Sequence, residues 1–242
     1  MADPVYTAPM VTRRTLSDQV ADGIVDMLVA RGLRPDESIG SEQELAAQFG
    51  VSKLVVREAI RTLAARGILR PSQGKPATVQ MPGSDILAQL LEFRMHFTEL
   101  GLEDLLAARR LIEGELAFEA AADPAGAWST DARAALDRMR AVAGDLDRFI
   151  AADLDFHRAI AWGGRNELLG LVLESLEGLL LTTRKATMQG RAARGKDDEG
   201  VIAAHARILD AIEAGDAEGA RDAMNAHLDE TLRDLRAASP LD

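Results

Sequence analysis

The chain has 242 residues, 47% of them hydrophobic, enough to bury one or two cores, and it contains no cysteine, which excludes disulfides, thiolate metal sites and thiol nucleophiles. It has no run of eighteen apolar residues and no basic-then-apolar leader at its N-terminus, so the expectation is a cytoplasmic protein without a membrane partner. The net charge of −11 argues against indiscriminate adhesion to nucleic acid, yet residues 11–80 carry ten Lys and Arg against eight Asp and Glu while the remainder carries 18 against 31, so the charge is segregated along the chain.

In chain order, residues 1–12 are mixed, contain two prolines and read as a mobile tail. Arg13 and Arg14 precede a cap expected at Ser17, and Val20, Ile24, Val25 and Leu28 then give a helical period that closes near Gly32, ahead of Pro35. Ser41 with Glu44 three residues on forms a capping-box pattern for a second, short helix, which Gly50 ends. A third helix starts at Ser52. Its residues Val56, Ile60 and Leu63 fall on one face, and Lys53, Arg57 and Arg61 form a cationic row on another. After Gly67, two short strands, 68–70 and 77–80, are expected around a Pro-Ser-Gln-Gly-Lys-Pro tip. Two helices joined by a tight glycine turn, the second cationic, describe a helix-turn-helix with a wing, suited to the major groove of double-stranded operator DNA.

Met81-Pro-Gly-Ser-Asp has turn composition and is the expected boundary: a DNA-binding domain over 13–81, a linker at 82–84 and a second domain over 85–238. Beyond it the pattern is helical throughout, in segments at 85–95, 101–122, 129–142, 148–163, 167–190, 198–214 and 216–237, with Gly190 to Gly200 read as a flexible connection. The fold class is therefore mainly α: an N-terminal winged helix-turn-helix with a small β wing, followed by an all-α bundle whose facing side chains can build a site.

Among the four histidines, His205 keeps the apolar company of Val201, Ile202, Ile208, Leu209 and Ile212, and His157 that of Ile150, Leu154 and Ile160 with Asp153 one turn before it. His227 follows Ala223 and Met224 on the last helix, while His96 fits no pattern and reads as structural or exposed. Each histidine alone is more often a packed core residue. As a set on three helices, Asp153, His157, His205 and His227 would be costly to bury separately and are satisfied together by one divalent cation per chain, zinc first, with nickel, manganese or iron also suited to the donors. Arg109 sits among Leu102, Leu105, Leu106, Ile112 and Leu116, either paired with Glu113 at i+4 or free to fork onto an acid. Trp128 and Trp162 read as packing residues, and Asp155 as a solvated neighbour.

Ser-Glu-x-Glu-Leu-Ala, Gly-Val-Ser, Val-Arg-Glu-Ala and the Gly-Lys-Pro tip resemble the winged-helix domain of GntR-type transcription regulators, the tip being nearest the FadR branch. Leu-Glu-Asp-Leu-Leu-x-x-Arg-Arg-x-x-Glu, Asp-x-x-Phe-His-Arg-Ala-Ile, Gly-x-Asn and the two late histidines resemble that branch's FCD ligand domain. The resemblance implies a homodimeric, effector-responsive regulator, more commonly a repressor. It implies DNA contacts in the region of Ser41, Gln43, Ser52, Lys53, Arg57, Arg61, Gly74 and Lys75, metal ligands at Asp153, His157, His205 and His227, and a small carboxylate effector, a sugar acid or a hydroxy or dicarboxylic acid, on the metal and Arg109. Gln43 stands where the family usually has arginine, Gly40 where it usually has proline, and Ala107 where it often has glutamate. Two rival readings are a metal-dependent, hydrolase-like enzyme, which lacks a placed general base, and a DNA-binding protein with no effector.

Overall fold

The computed structural model describes residues 14–98 and 101–238; the expected tail at 1–12, and Arg13, lie outside them. The chain divides into two compact units between Gly83 and Ser84. The first unit runs α1 (Leu16–Arg31), α2 (Glu42–Phe49), α3 (Lys53–Ala65), β1 (Leu69–Ser72) and β2 (Lys75–Val79). Its core joins Val20, Ile24 and Leu28 of α1 to Leu45, Val56, Ile60, Leu63, Leu69 and Val79, so the apolar face expected of α3 is the face that packs.

Local chemistry sets the ends of these elements. Ser41 and Glu44 form the capping box of α2, and Gly50 closes it at φ 66°, in the left-handed region that only glycine adopts without strain. For α1 the cap is Thr15 rather than Ser17, because Asp18 returns the reciprocal bond to Thr15, and Ser17 lies inside the first turn. The wing strands are longer at the tip than their sequence suggested: Ser72 pairs with Lys75, leaving only Gln73 and Gly74 as the turn, with Gly74 at φ 72°. Both prolines of the tip motif therefore lie in strands, at exposed positions of a two-stranded edge.

The second unit is entirely helical among its described residues: α4 (Ser84–Phe97), α5 (Leu102–Ala120), α6 (Ala127–Ala141), α7 (Leu146–Gly163), α8 (Glu167–Ser175), α9 (Glu177–Ala193), α10 (Asp198–Glu213) and α11 (Ala217–Ala237). Helix α11 packs on α5, α9 and α10, and α7 packs on α5 and α6. The main core is made by Leu136, Met139, Phe149, Phe156, Ile208, Ile212, Met224 and Leu228. No described helix is long and apolar enough to cross a membrane.

Three expectations are corrected here. The stretch 167–190 is two helices, since the backbone tightens at Leu176, whose N–H reaches Leu173 O at 3.0 Å; periodicity hid the break because Leu173, Leu176 and Leu180 share one core. Trp128 is buried as expected, but Trp162 is 71% exposed. Gly190 belongs to helix α9 rather than to a connection. A Cβ there would stand 1.8 Å from the Asp234 carbonyl oxygen of α11, so the glycine is what lets the two helices approach. Gly190→Ala, which would stabilise an open helical site by roughly 1 kcal/mol, is expected instead to destabilise the protein by about 1–3 kcal/mol in urea unfolding. A stability equal to wild type would show that α9 and α11 part without cost.

Candidate metal centre

Helix α7 carries Asp153 and His157 one turn apart, α10 brings His205 and α11 brings His227, and one ligand atom from each lies within 4.8 Å of the others. The three imidazole centroids are 4.5–5.4 Å apart. His96 is exposed, with Nδ1 2.8 Å from the Glu92 carbonyl oxygen of its own helix, and takes no part. Asp155 faces Arg138 at 2.8 Å and Arg158 at 3.6 Å, away from the cluster.

The hydrogen bonds around the cluster decide which nitrogen each ring presents. His205 Nδ1 lies 2.8 Å from Val201 O, and a carbonyl can only accept, so Nδ1 carries a proton and, in the neutral ring that a metal requires, Nε2 presents a lone pair. That Nε2 is buried without a hydrogen-bond partner and stands 3.0 Å from Asp153 Oδ1, which also presents lone pairs. In the neutral ring these are two acceptors, which repel at this distance unless a proton or a metal ion lies between them. His157 Nε2, likewise buried without a partner, is 3.7 Å from the same oxygen. His227 is held well below the usual histidine range, chiefly by burial, so its imidazole is neutral and can donate an electron pair to a metal. One divalent ion fits these donors, and their oxygen-and-nitrogen chemistry suits zinc, nickel, manganese or iron.

A second layer of buried charge fixes the donors. Glu113 divides its oxygens, Oε1 accepting from Arg109 Nε at 2.5 Å and Oε2 meeting His157 Nδ1, which leaves Nε2 on the side of the cluster. Burial would raise the Glu113 carboxyl, but Arg109 and then His157 outweigh it and hold the group far below the carboxylate range. His157 is raised: burial opposes its charge, and Glu113 and Asp153 overcome that opposition. Asp153 is divided in the same way, Oδ1 toward the imidazoles and Oδ2 accepting from Arg184 Nε. Its carboxyl lies well below the usual range, with desolvation opposed first by Arg184.

Beside the cluster is a cavity with about 420 Å³ of empty space, its open mouth included, lined among others by Arg109, Asp153, Arg184, Arg191, His227 and Asp234. Ala107, where the family often has glutamate, is exposed and is not among the residues lining the cavity. Arg109 pairs with Glu113 at i+4 and also lines the cavity. Sequence reasoning missed Arg184, Arg191 and Asp234. A signal was present, because Arg184 continues the buried stripe of Leu176 and Leu180 at i+4 spacing, where a cation has no place unless paired.

In the first unit Gln43, Ser52, Lys53, Arg57, Arg61, Gly74 and Lys75 are exposed and Ser41 half-buried. The Ser41 and Ser52 hydroxyls act as helix caps. Lys53 Nζ donates to Gln43 Oε1 at 3.1 Å, Arg61 pairs with Glu58 at 2.7 Å, and Arg57 forks onto Glu42, with 3.1 Å and 2.7 Å contacts. Glu42 was not singled out from sequence. These exposed pairs are weak and exchange readily for phosphate.

A winged helix-turn-helix joined to a helical unit with a buried Asp/His cluster defines a class of DNA-binding regulator that senses a small molecule. Residues 16–79 match the model for bacterial regulatory proteins of the gntR family, and residues 104–230 match the FCD domain. The HTH-type transcriptional regulator LutR of Bacillus subtilis is 31% identical over 197 residues, spanning 81% of this chain and 90% of that one. The HTH-type transcriptional repressor NanR of Cronobacter sakazakii is 28% identical, spanning 95% and 88%. The solved structure of Streptococcus agalactiae GntR has the same fold, with a TM-score of 0.66 and 24% identity over 90% of this chain and 99% of that one. The chain belongs to the GntR family of transcription regulators and carries its FCD domain; it is grouped with regulators and not with metal-dependent enzymes.

Proposed function

We propose that the protein is a cytoplasmic homodimeric repressor. Its winged units, residues 13–81, read the halves of a near-palindromic operator, and its helical unit, residues 85–238, releases that operator when a small carboxylate binds at a divalent metal. Asp153, His157, His205 and His227 would hold the ion, zinc first and one per chain, and when bound it supplies a Lewis-acidic anchor for the effector's oxygens. Arg109 orients the effector by a guanidinium fork. Lys53, Arg57 and Arg61 of α3, with Gly74 and Lys75 of the wing, face DNA, while Ser41 and Ser52 hold the helix ends at the groove and Gln43 takes a base or backbone position. An effector shifts the operator equilibrium only by its difference in affinity for the binding and non-binding forms, and the carboxylate is assigned that difference.

The observation that carries the metal reading is the meeting of one ligand atom each from Asp153, His157, His205 and His227 within 4.8 Å of one another, with the Nε2 atoms of His157 and His205 buried and unpartnered. The name of the NanR relative supports repression. The test is elemental mass spectrometry of untagged protein purified without chelator, followed by titration of labelled operator with and without candidate acids. About one divalent ion per chain and release by a small carboxylate are expected. Absence of metal after zinc, nickel or manganese is added back would remove the centre, and operator affinity indifferent to every acid would leave a DNA-binding protein without an effector.

On the DNA side, Arg57→Ala is expected to weaken operator binding and reduce the dependence of log affinity on log salt by about one. The melting temperature should stay near wild type, because the ion pair lost with Glu42 is exposed. Unchanged operator affinity would take Arg57 off the DNA face.

A further inference from the structure

With the histidine rings neutral, as metal ligands must be, the buried arginines and carboxylates around the cavity form a balanced set before the ion's own charge is counted. Three guanidiniums, Arg109, Arg184 and Arg191, stand against three carboxylates, Glu113, Asp153 and Asp234, and all six residues are buried. A divalent ion on the four donors brings two further positive charges into a site largely withdrawn from water, where uncompensated charge is strongly disfavoured. A monocarboxylate cancels one of them. A dianion cancels both.

The three guanidiniums are not equally engaged. Arg191 donates from Nε to Asp197 O at 2.7 Å and from Nη1 to Asp234 at 3.1 Å. Arg109 and Arg184 each use Nε on a carboxylate, and each keeps a buried terminal nitrogen, Nη2 and Nη1 respectively, with no partner. Both line the same cavity. Two like charges in one cavity, each with an unused donor, are relieved by an anion with more than one acceptor group.

We propose that Arg184 recognises a second anionic group, so that the effector is a small dicarboxylate and not a monocarboxylate. The inference rests on the carboxylate-at-metal reading above and adds to it the effector's charge and the residue that selects it. Arg109 serves the group shared by both kinds of acid, and Arg184 serves the group that only the dianion has.

The test is calorimetric titration of zinc-loaded full-length protein with matched pairs that share a skeleton and differ by one carboxylate: lactate and malate, propionate and succinate, gluconate and glucarate. In at least one pair the dianion is expected to bind at least about 10-fold tighter, the worth of one charge-assisted hydrogen bond. Arg184→Met is expected to remove that preference, read as the ratio of dianion to monocarboxylate affinity within the variant, so that any loss common to both acids through Asp153 cancels. Zinc content is measured on each variant. If Arg184→Met does not retain zinc, Arg184→Lys keeps a cation against Asp153 without the fork and is expected to lose most of the preference. Monocarboxylates that match their dianions in every pair would overturn the dianion and leave the carboxylate reading standing. A preference that survives both variants would overturn the role of Arg184. If none of the six acids binds zinc-loaded protein, the carboxylate reading falls and this inference with it.

Discussion

Asp153→Ala is expected to destabilise the metal-free helical unit by about 3–5 kcal/mol, the usual result of leaving one member of a buried ion pair alone. The residue at risk is Arg184, only 4% exposed, whose Nε relies on Asp153 Oδ2 and whose Nη1 already has no partner. Charge can be separated from shape by removing both members, because replacement of a whole buried pair by apolar side chains is often neutral. The double variant Asp153→Leu, Arg184→Met should therefore be more stable than Asp153→Ala, although it loses metal as completely. Urea unfolding in the presence of chelator reads the charge effect alone, and metal analysis reads the ligand. A single substitution costing under about 1 kcal/mol would show that water reaches Arg184 as it does a surface pair. A double variant as weak as the two single effects added together would show that the penalty is one of packing.

What could be read from the sequence follows the range of the interactions involved. Helix ends at Ser41, Gly50 and Ser52 depend on residues three or four positions apart, and each lies where local chemistry puts it. The one misplaced cap is also local: Thr15 and Ser17 both offer hydroxyls, and only the carboxylate of Asp18, three residues after Thr15, separates them. Asp153 and His157 share a helical face by spacing, and the apolar neighbours of His205 point it inward. Their convergence with His227 on a third helix has no periodic signal and came from family resemblance. The layer behind the ligands was illegible for the same reason. Arg184 meets Asp153 across 31 residues of chain and Arg191 meets Asp234 across 43, and no spacing rule encodes pairs of that range. Glu113 was visible only as a partner for Arg109 at i+4, whereas its second oxygen reaches His157 on another helix. Such buried pairs leave a composition clue, a charge on an apolar stripe, without saying which charge answers it.

That second oxygen of Glu113 gives the other large expected effect. Glu113→Gln keeps the side chain's shape and an oxygen for Arg109 but puts an amide N–H where His157 Nδ1 now finds a carboxylate. Two donors cannot face each other, so His157 must carry its proton on Nε2 and turn its lone pair to Nδ1, away from Asp153, His205 and His227. The variant should hold zinc about 10–100-fold less tightly, the usual cost of losing a partner behind a metal-bound histidine. Competition against a chromophoric chelator measures this directly. Helical content should remain near wild type, since the side chain's volume is kept and Arg109 retains an acceptor. Glu113→Asp, which keeps the charge and shortens the reach, should fall between the two. Zinc affinity unchanged in Glu113→Gln would mean that His157 ligates through either nitrogen or not at all, and Asp153, His205 and His227 would then have to hold the ion without it.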